Sequence, residues 1–222
     1  MATATKRVLY SDVRSGSCRR VLTVIEHLGL DDVDVIDILG GETTDFLKLN
    51  PNGELTVLVD GDLVLHEASA IALYLCDERD TDLVPKGKKR FEMLTWMFWA
   101  AEHFRIPAPI SFEEHVVGHD EPDQSSGKDI DTYAPVLDAH LATRKFVLGD
   151  TPTLADIDLA APLSQMPIRT LPYDKFPNVV RWYADLDEAL PAWNKVQRQA
   201  AMNVGGRPTA PLDDPLPGGC TA

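Results

Sequence analysis

The sequence predicts a small α/β domain followed by an all-helical one, on three observations. A strand–helix–strand pattern fills the first forty residues, an Asp-Gly turn lies between two β-like runs, and no alternating run follows residue 88. The first marks a parallel crossover unit and the second a hairpin; the third leaves only helices for the rest of the chain.

Val8-Leu9-Tyr10 is a short strand, and Ser11 to Ser17 is the loop after it. From Cys18 to Leu28 the apolar residues Val21, Leu22, Val24, Ile25 and Leu28 recur at helical spacing, with Gly29 as the stop. Val33, Val35, Ile36 and Ile38 form a second strand. Glu42 to Leu49 reads as a helix ended by Asn50-Pro51-Asn52-Gly53. Leu55 to Val59 and Leu63 to Leu65 flank Asp60-Gly61-Asp62 as a hairpin, and Glu67 to Cys76 is helical again. The order β-α-β-α-β-β-α puts a mixed sheet in a first domain, residues 1–80. Residues 81–87, polar and broken by Pro85 and Gly87, read as a linker, and 88–204 as the helical domain. Its helices are expected over Lys88–Phe104, Ile130–Leu141, Thr153–Ser164, Phe176–Ala189 and Ala192–Ala201. Pro107 and Pro109 limit the first of them, 118–127 is an acidic loop, and 205–222 is an irregular tail rich in Pro and Gly.

Composition narrows the function. With 222 residues, 44% of them hydrophobic, the chain can bury a sizeable core and is not a disordered protein. The 21 basic and 35 acidic residues leave a formal charge of −14, which repels phosphate backbones and anionic lipid, so neither nucleic acid nor a membrane surface is an expected partner. Cys18, Cys76 and Cys220 form no C-x-x-C pair and suit a reducing compartment. No apolar run reaches membrane-span length and the first residues carry no apolar leader core, so the chain is read as cytosolic. Nucleotide chemistry and serine hydrolysis lack their motifs, GxGxxG, the phosphate loop and GxSxG. His115 and His119, beside Glu113 and Glu114, have helical metal-pair spacing but no further ligands in register; a solvated helix end is expected, and no metal. Lys86, Lys88, Lys89 and Arg90, the one basic cluster, read as a salt-bridged surface.

Three stretches then resemble one family. Asn50-Pro51-Asn52-Gly53 leads through the strand pair to His66-Glu67-Ala68-Ser69 and ends in Tyr74-Leu75. Phe146 to Asp156 contains Gly149-Asp150-Thr151-Pro152-Thr153-Leu154-Ala155-Asp156, and Trp96-Met97-Phe98-Trp99 is similar to the aromatic fourth helix of many bacterial members. Together they resemble the cytosolic glutathione transferase superfamily over roughly residues 6 to 200. The Thr153…Asp156 pair has its own physical sense as a helix capping box. The resemblance implies a thioredoxin-like N-terminal domain, a helical C-terminal domain, a homodimer, and glutathione as co-substrate for transfer to a small electrophile.

The resemblance also implies site residues. Ser15-Gly16-Ser17-Cys18-Arg19 is similar to the serine-type pattern, which makes Ser15 the hydroxyl donor to the glutathione thiol. Ser17 and Tyr10 remain alternatives, and Cys18 reads as a buried helix residue. A free thiol has a pKa of about 8.5 and only its thiolate attacks. One hydrogen bond to a charged group, about 1.5–3 kcal/mol net, brings that pKa near neutrality, with the first helix's positive end adding to it. Leu55, Glu67 and Ala68 would hold the peptide part of glutathione. Arg19 and Arg20 are expected in structural or interface ion pairs. On the long helix, Phe91, Leu94, Phe98 and Ala101 form one stripe and Trp96, Trp99 and His103 another; one packs on the bundle and the other faces the cleft, where Trp99 and His103, with Glu102 and Arg105 close by, border the acceptor.

Two departures count against glutathione. Thr56 stands where the family usually has a cis-proline, so Leu55–Thr56 is expected to be trans and the Leu55 backbone displaced. Ala68 replaces the serine that would hold the γ-glutamyl carboxylate, leaving a helix N-terminus for that task. They motivate an alternative, a glutathione-independent lyase, isomerase or cyclase on the same fold; a non-enzymatic binding module using that dimer-forming fold is a further one.

Overall fold

The structure is a computed structural model and describes residues 6–38, 44–103, 124–164 and 175–203. The chain opens with β1 (Arg7–Ser11), α1 (Gly16–Leu28), β2 (Val33–Asp37), α2 (Thr44–Leu49), β3 (Val57–Asp60), β4 (Leu63–His66) and α3 (Ala68–Asp77). The helices α4 (Lys88–His103), α5 (Gln124–Leu141), α6 (Leu154–Leu163), α7 (Pro177–Ala189) and α8 (Pro191–Asn203) follow.

The sheet order is β2-β1-β3-β4. β1 and β2 run parallel, with Leu9 opposite Val35, as a helical crossover requires. β3 runs antiparallel to β1 and turns through Gly61, at φ 58°, into β4. A positive φ is why the turn needs glycine there. Gly29 closes α1 in the same left-handed conformation, its N–H bonded back to the Glu26 carbonyl.

Helix α1 packs on α3 and, from its other sides, on α6 and α8; α4 lies on α6 and α5 on α7. One apolar core therefore runs from Leu9 and Leu58 in the sheet, through Val21 and Ile71, to Leu159, Trp182 and Trp193. Residues 81–87 are tied into it, since the Leu154 N–H donates to the Leu83 carbonyl at 3.0 Å and Leu83 is buried.

The expected capping residue anchors α6. Asp156 Oδ2 accepts from the Thr153 N–H at 2.8 Å and hydroxyl at 3.2 Å, while Oδ1 accepts from the Val147 N–H at 2.9 Å and Trp182 Nε1 at 2.8 Å. Burial pushes this carboxyl up, and the four donors pull the other way.

Two expectations are corrected here. Residues 118–127 were expected as a loop, but α5 already begins at Gln124; a first turn tolerates Ser and Gly because its N–H groups have no intrahelical partner in any case. Of the stripe Phe91, Leu94, Phe98 and Ala101, only Leu94 packs against the core. Met93, Met97 and Ala100 do so with it, leaving Phe91 69% and Phe98 71% exposed. Unbranched methionine adapts its shape to a packed core more readily than a rigid ring. The basic cluster is salt-bridged in part, through Lys86–Asp80 and a two-pronged Arg90–Asp77 pair. Among the described residues no helix is long and apolar enough to cross a membrane, and no group of three or more His, Cys, Asp or Glu is placed to hold a metal. His115, His119, Glu113, Glu114, Arg105 and the 205–222 tail lie outside the described residues.

Candidate active site at the start of two helices

The loop from β1 to α1 is fixed by its own short-range bonds. The Asp12 carboxylate takes the Arg14 backbone N–H at 2.9 Å and its guanidinium at 2.6–3.0 Å. The Ser15 N–H donates to the Asp12 carbonyl at 2.9 Å, closing a turn that delivers Ser15 as the N-cap of α1. An N-cap serine ordinarily uses its hydroxyl to cap the helix. Here the half-buried hydroxyl makes no cap bond, so it remains available at the positive end of α1.

Of the residues near Ser15, Cys18 has other employment. Cys18 is fully buried, and its sulfur accepts the Thr56 hydroxyl at 2.9 Å. The Tyr10 ring meets Phe46 of α2 edge-on at 6.0 Å. Ser17 is half-buried in the first turn of α1.

The expectation of a trans Leu55–Thr56 bond is wrong: the bond is cis. Thr56 is 2% exposed, bonded to Cys18 on one side and leading straight into the β1–β3 pairing on the other, so its surroundings override its own preference.

At the second helix start, Glu67 is the N-cap of α3 at φ 71°, and Ala68 is 5% exposed behind it. The Ser69 side chain is turned toward α1. Its hydroxyl faces Arg20 at 3.4 Å, and Arg20 lies 3.6 Å from the buried carboxylate of Asp158 on α6. Arg20 is thus the structural ion pair that was expected. Arg19 is not: among the described residues its partners are neutral oxygens.

Trp99 and His103 join a ring cluster between α4 and α5. His103 stacks on Tyr133 at 4.6 Å, Trp99 meets His103 at 5.8 Å and Tyr133 at 6.0 Å, and Trp96 adjoins Trp99 at 5.3 Å. All are partly exposed, so one flank of the cluster is open.

Residues 9–82 match the model of the glutathione S-transferase N-terminal domain, and residues 104–189 that of the C-terminal domain. Glutathione S-transferase 3 of Zea mays is 34% identical, across 84% of this chain and 91% of that protein. The chain belongs to the glutathione S-transferase family. Two solved members share its fold. A delta-class glutathione transferase of Nilaparvata lugens is 26% identical with a TM-score of 0.77, covering 87% of this chain and 94% of its own. A glutathione transferase of Phanerochaete chrysosporium, in complex with oxidized glutathione, is 26% identical with a TM-score of 0.76, covering 91% and 99%. The fold expected from the sequence, a thioredoxin-like unit before a helical one, is the fold of this family.

Some residues of this transferase carry more than the sequence suggested. Asp158 and Gln197 were not singled out, because their partners Arg20 and Arg19 lie 138 and 178 positions away and no spacing rule connects them. The only local sign was a second acidic residue, two positions after the capping one, in an otherwise apolar helix.

Proposed function

We propose that the protein is a serine-type glutathione transferase, with Ser15 as the residue that holds the thiolate. The single observation that carries the assignment is the Ser15 hydroxyl, placed at the N-terminus of α1 and making no bond to its own helix. Family membership and the relative solved with oxidized glutathione support glutathione as co-substrate.

The chemistry follows from charge. The thiol of glutathione loses its proton to solvent, and the remaining sulfur anion accepts the Ser15 O–H while feeling the positive end of α1. Its lone pair attacks an electrophilic carbon. With an organic halide, a C–S bond forms as the C–X bond breaks, and halide leaves with the bonding pair. The Leu55 backbone and the N-terminus of α3, at Glu67 and Ala68, hold the peptide part, the latter by N–H groups facing a carboxylate. Trp99 and His103, on the open flank of the ring cluster, border the acceptor. No metal is needed for these steps.

Two further readings accompany the assignment. The free Cys18 and Cys76 thiols support a cytosolic setting. A second copy of the chain covers the apolar faces left open: Phe91 and Phe98 on α4, and Leu63 and Val64 on β4, which are 41% and 37% exposed. Two such patches, one in each unit, suit reciprocal pairing about a two-fold axis.

Calorimetric titration with glutathione, alongside an assay of conjugation to an aromatic halide, tests the reading. Saturable binding and turnover are expected; absence of binding at millimolar glutathione excludes it.

A further inference from the structure

We propose that Arg19 is a positioning residue for Ser15, clamping the loop before it against the helical unit and lending the site a positive charge that no carboxylate among the described residues bonds. The inference rests on the reading of Ser15 as thiol donor. Arg19 lies in the first turns of α1 and is 4% exposed. Its Nε donates to the Val13 carbonyl at 2.8 Å and its NH2 to the Arg14 carbonyl at 3.2 Å, the two residues immediately before Ser15. From the opposite side NH1 donates to the Ser164 carbonyl at 2.8 Å, the Ser164 hydroxyl at 3.0 Å and Gln197 Oε1 at 3.0 Å. One rigid planar group thus joins the loop to the end of α6 and to the middle of α8.

Every one of these acceptors is neutral. A buried guanidinium is costly unless its donors are met, and a carboxylate is the usual partner. The titratable groups that face it are Asp12 in the loop, Cys18 on α1 and Tyr183 on α7; Asp37, at the end of β2, faces Arg14. The Asp12 carboxylate is bonded to the Arg14 guanidinium and makes no bond to Arg19. Cys18 is held by Thr56. Arg19 thus brings to the start of α1 a positive charge to which no carboxylate among the described residues is bonded, and it stays protonated although burial pulls its pKa below the ordinary value. Its sign is the one that favours a thiolate over a thiol.

Gln197→Glu separates the field from the clamp, because it keeps an oxygen acceptor against Arg19 and adds the missing carboxylate. The pH dependence of kcat/KM is measured for wild type, Gln197→Glu and Arg19→Lys, with thermal midpoints to confirm folding. The Gln197→Glu variant is expected to be at least as stable as wild type, with its acid limb moved upward by about one pH unit. Arg19→Lys, which keeps the charge and loses the fork, is expected to hold the wild-type limb and lose roughly tenfold in kcat/KM. A merely structural Arg19 leaves the limb unmoved in Gln197→Glu, and that result overturns the proposal while wild-type turnover stands. Failure of the wild type to bind glutathione overturns the Ser15 reading, and Arg19 with it.

Discussion

Asp187 shows at the level of one residue how burial becomes a pH effect. It lies on α7 with one carboxylate oxygen buried and without a hydrogen-bond partner among the described residues. Burial pushes its carboxyl up to about 6, against the opposing pull of Trp193 and Arg198. In the unfolded chain an aspartate ionises at about 3.9, so between the two values the folded state holds more protons. The stabilisation is therefore full below the unfolded value and is lost as pH rises toward 6. Urea midpoints measured from pH 4 to 7 are expected to fall more steeply for wild type than for Asp187→Asn, whose amide cannot titrate. Parallel slopes in the two proteins exclude this origin.

At the scale of elements, the starts of α1 and α3 do unequal work. Helix α1 brings a hydroxyl as well as its positive end, whereas α3 brings N–H groups with an alanine behind them. Ala68→Ser restores a donor where the γ-glutamyl carboxylate is assigned, and a bond to a charged group is worth about 1.5–3 kcal/mol. Calorimetry is expected to show glutathione binding tightened about tenfold; unchanged affinity places the carboxylate elsewhere. Helix α4 divides its faces in a way that hydropathy alone misassigned, because methionines took the core and two phenylalanines the surface. The double variant Phe91→Glu, Phe98→Glu is expected to sediment as a monomer with little change in thermal midpoint, since neither ring is in the core. A dimer that persists removes α4 from the interface.

For the molecule as a whole, what the sequence disclosed follows the range of each interaction. The hairpin at Gly61, the stop at Gly29 and the cap at Asp156 depend on neighbours within a few positions, and each was readable. The Thr56–Cys18 and Arg19–Gln197 bonds join residues 38 and 178 positions apart, which no local pattern encodes. Ser15 falls between these cases: its motif was legible, but the freedom of its hydroxyl emerged only once the loop and helix were in place. On that hydroxyl the assigned chemistry depends. The most direct measurement is the thiolate absorbance of enzyme-bound glutathione titrated against pH, in wild type and in Ser15→Ala. Wild type is expected to ionise the thiol at least one unit below the ordinary value of about 8.5, with the alanine variant returning upward by about one unit. Coincident titration curves in the two proteins would contradict the role given to Ser15.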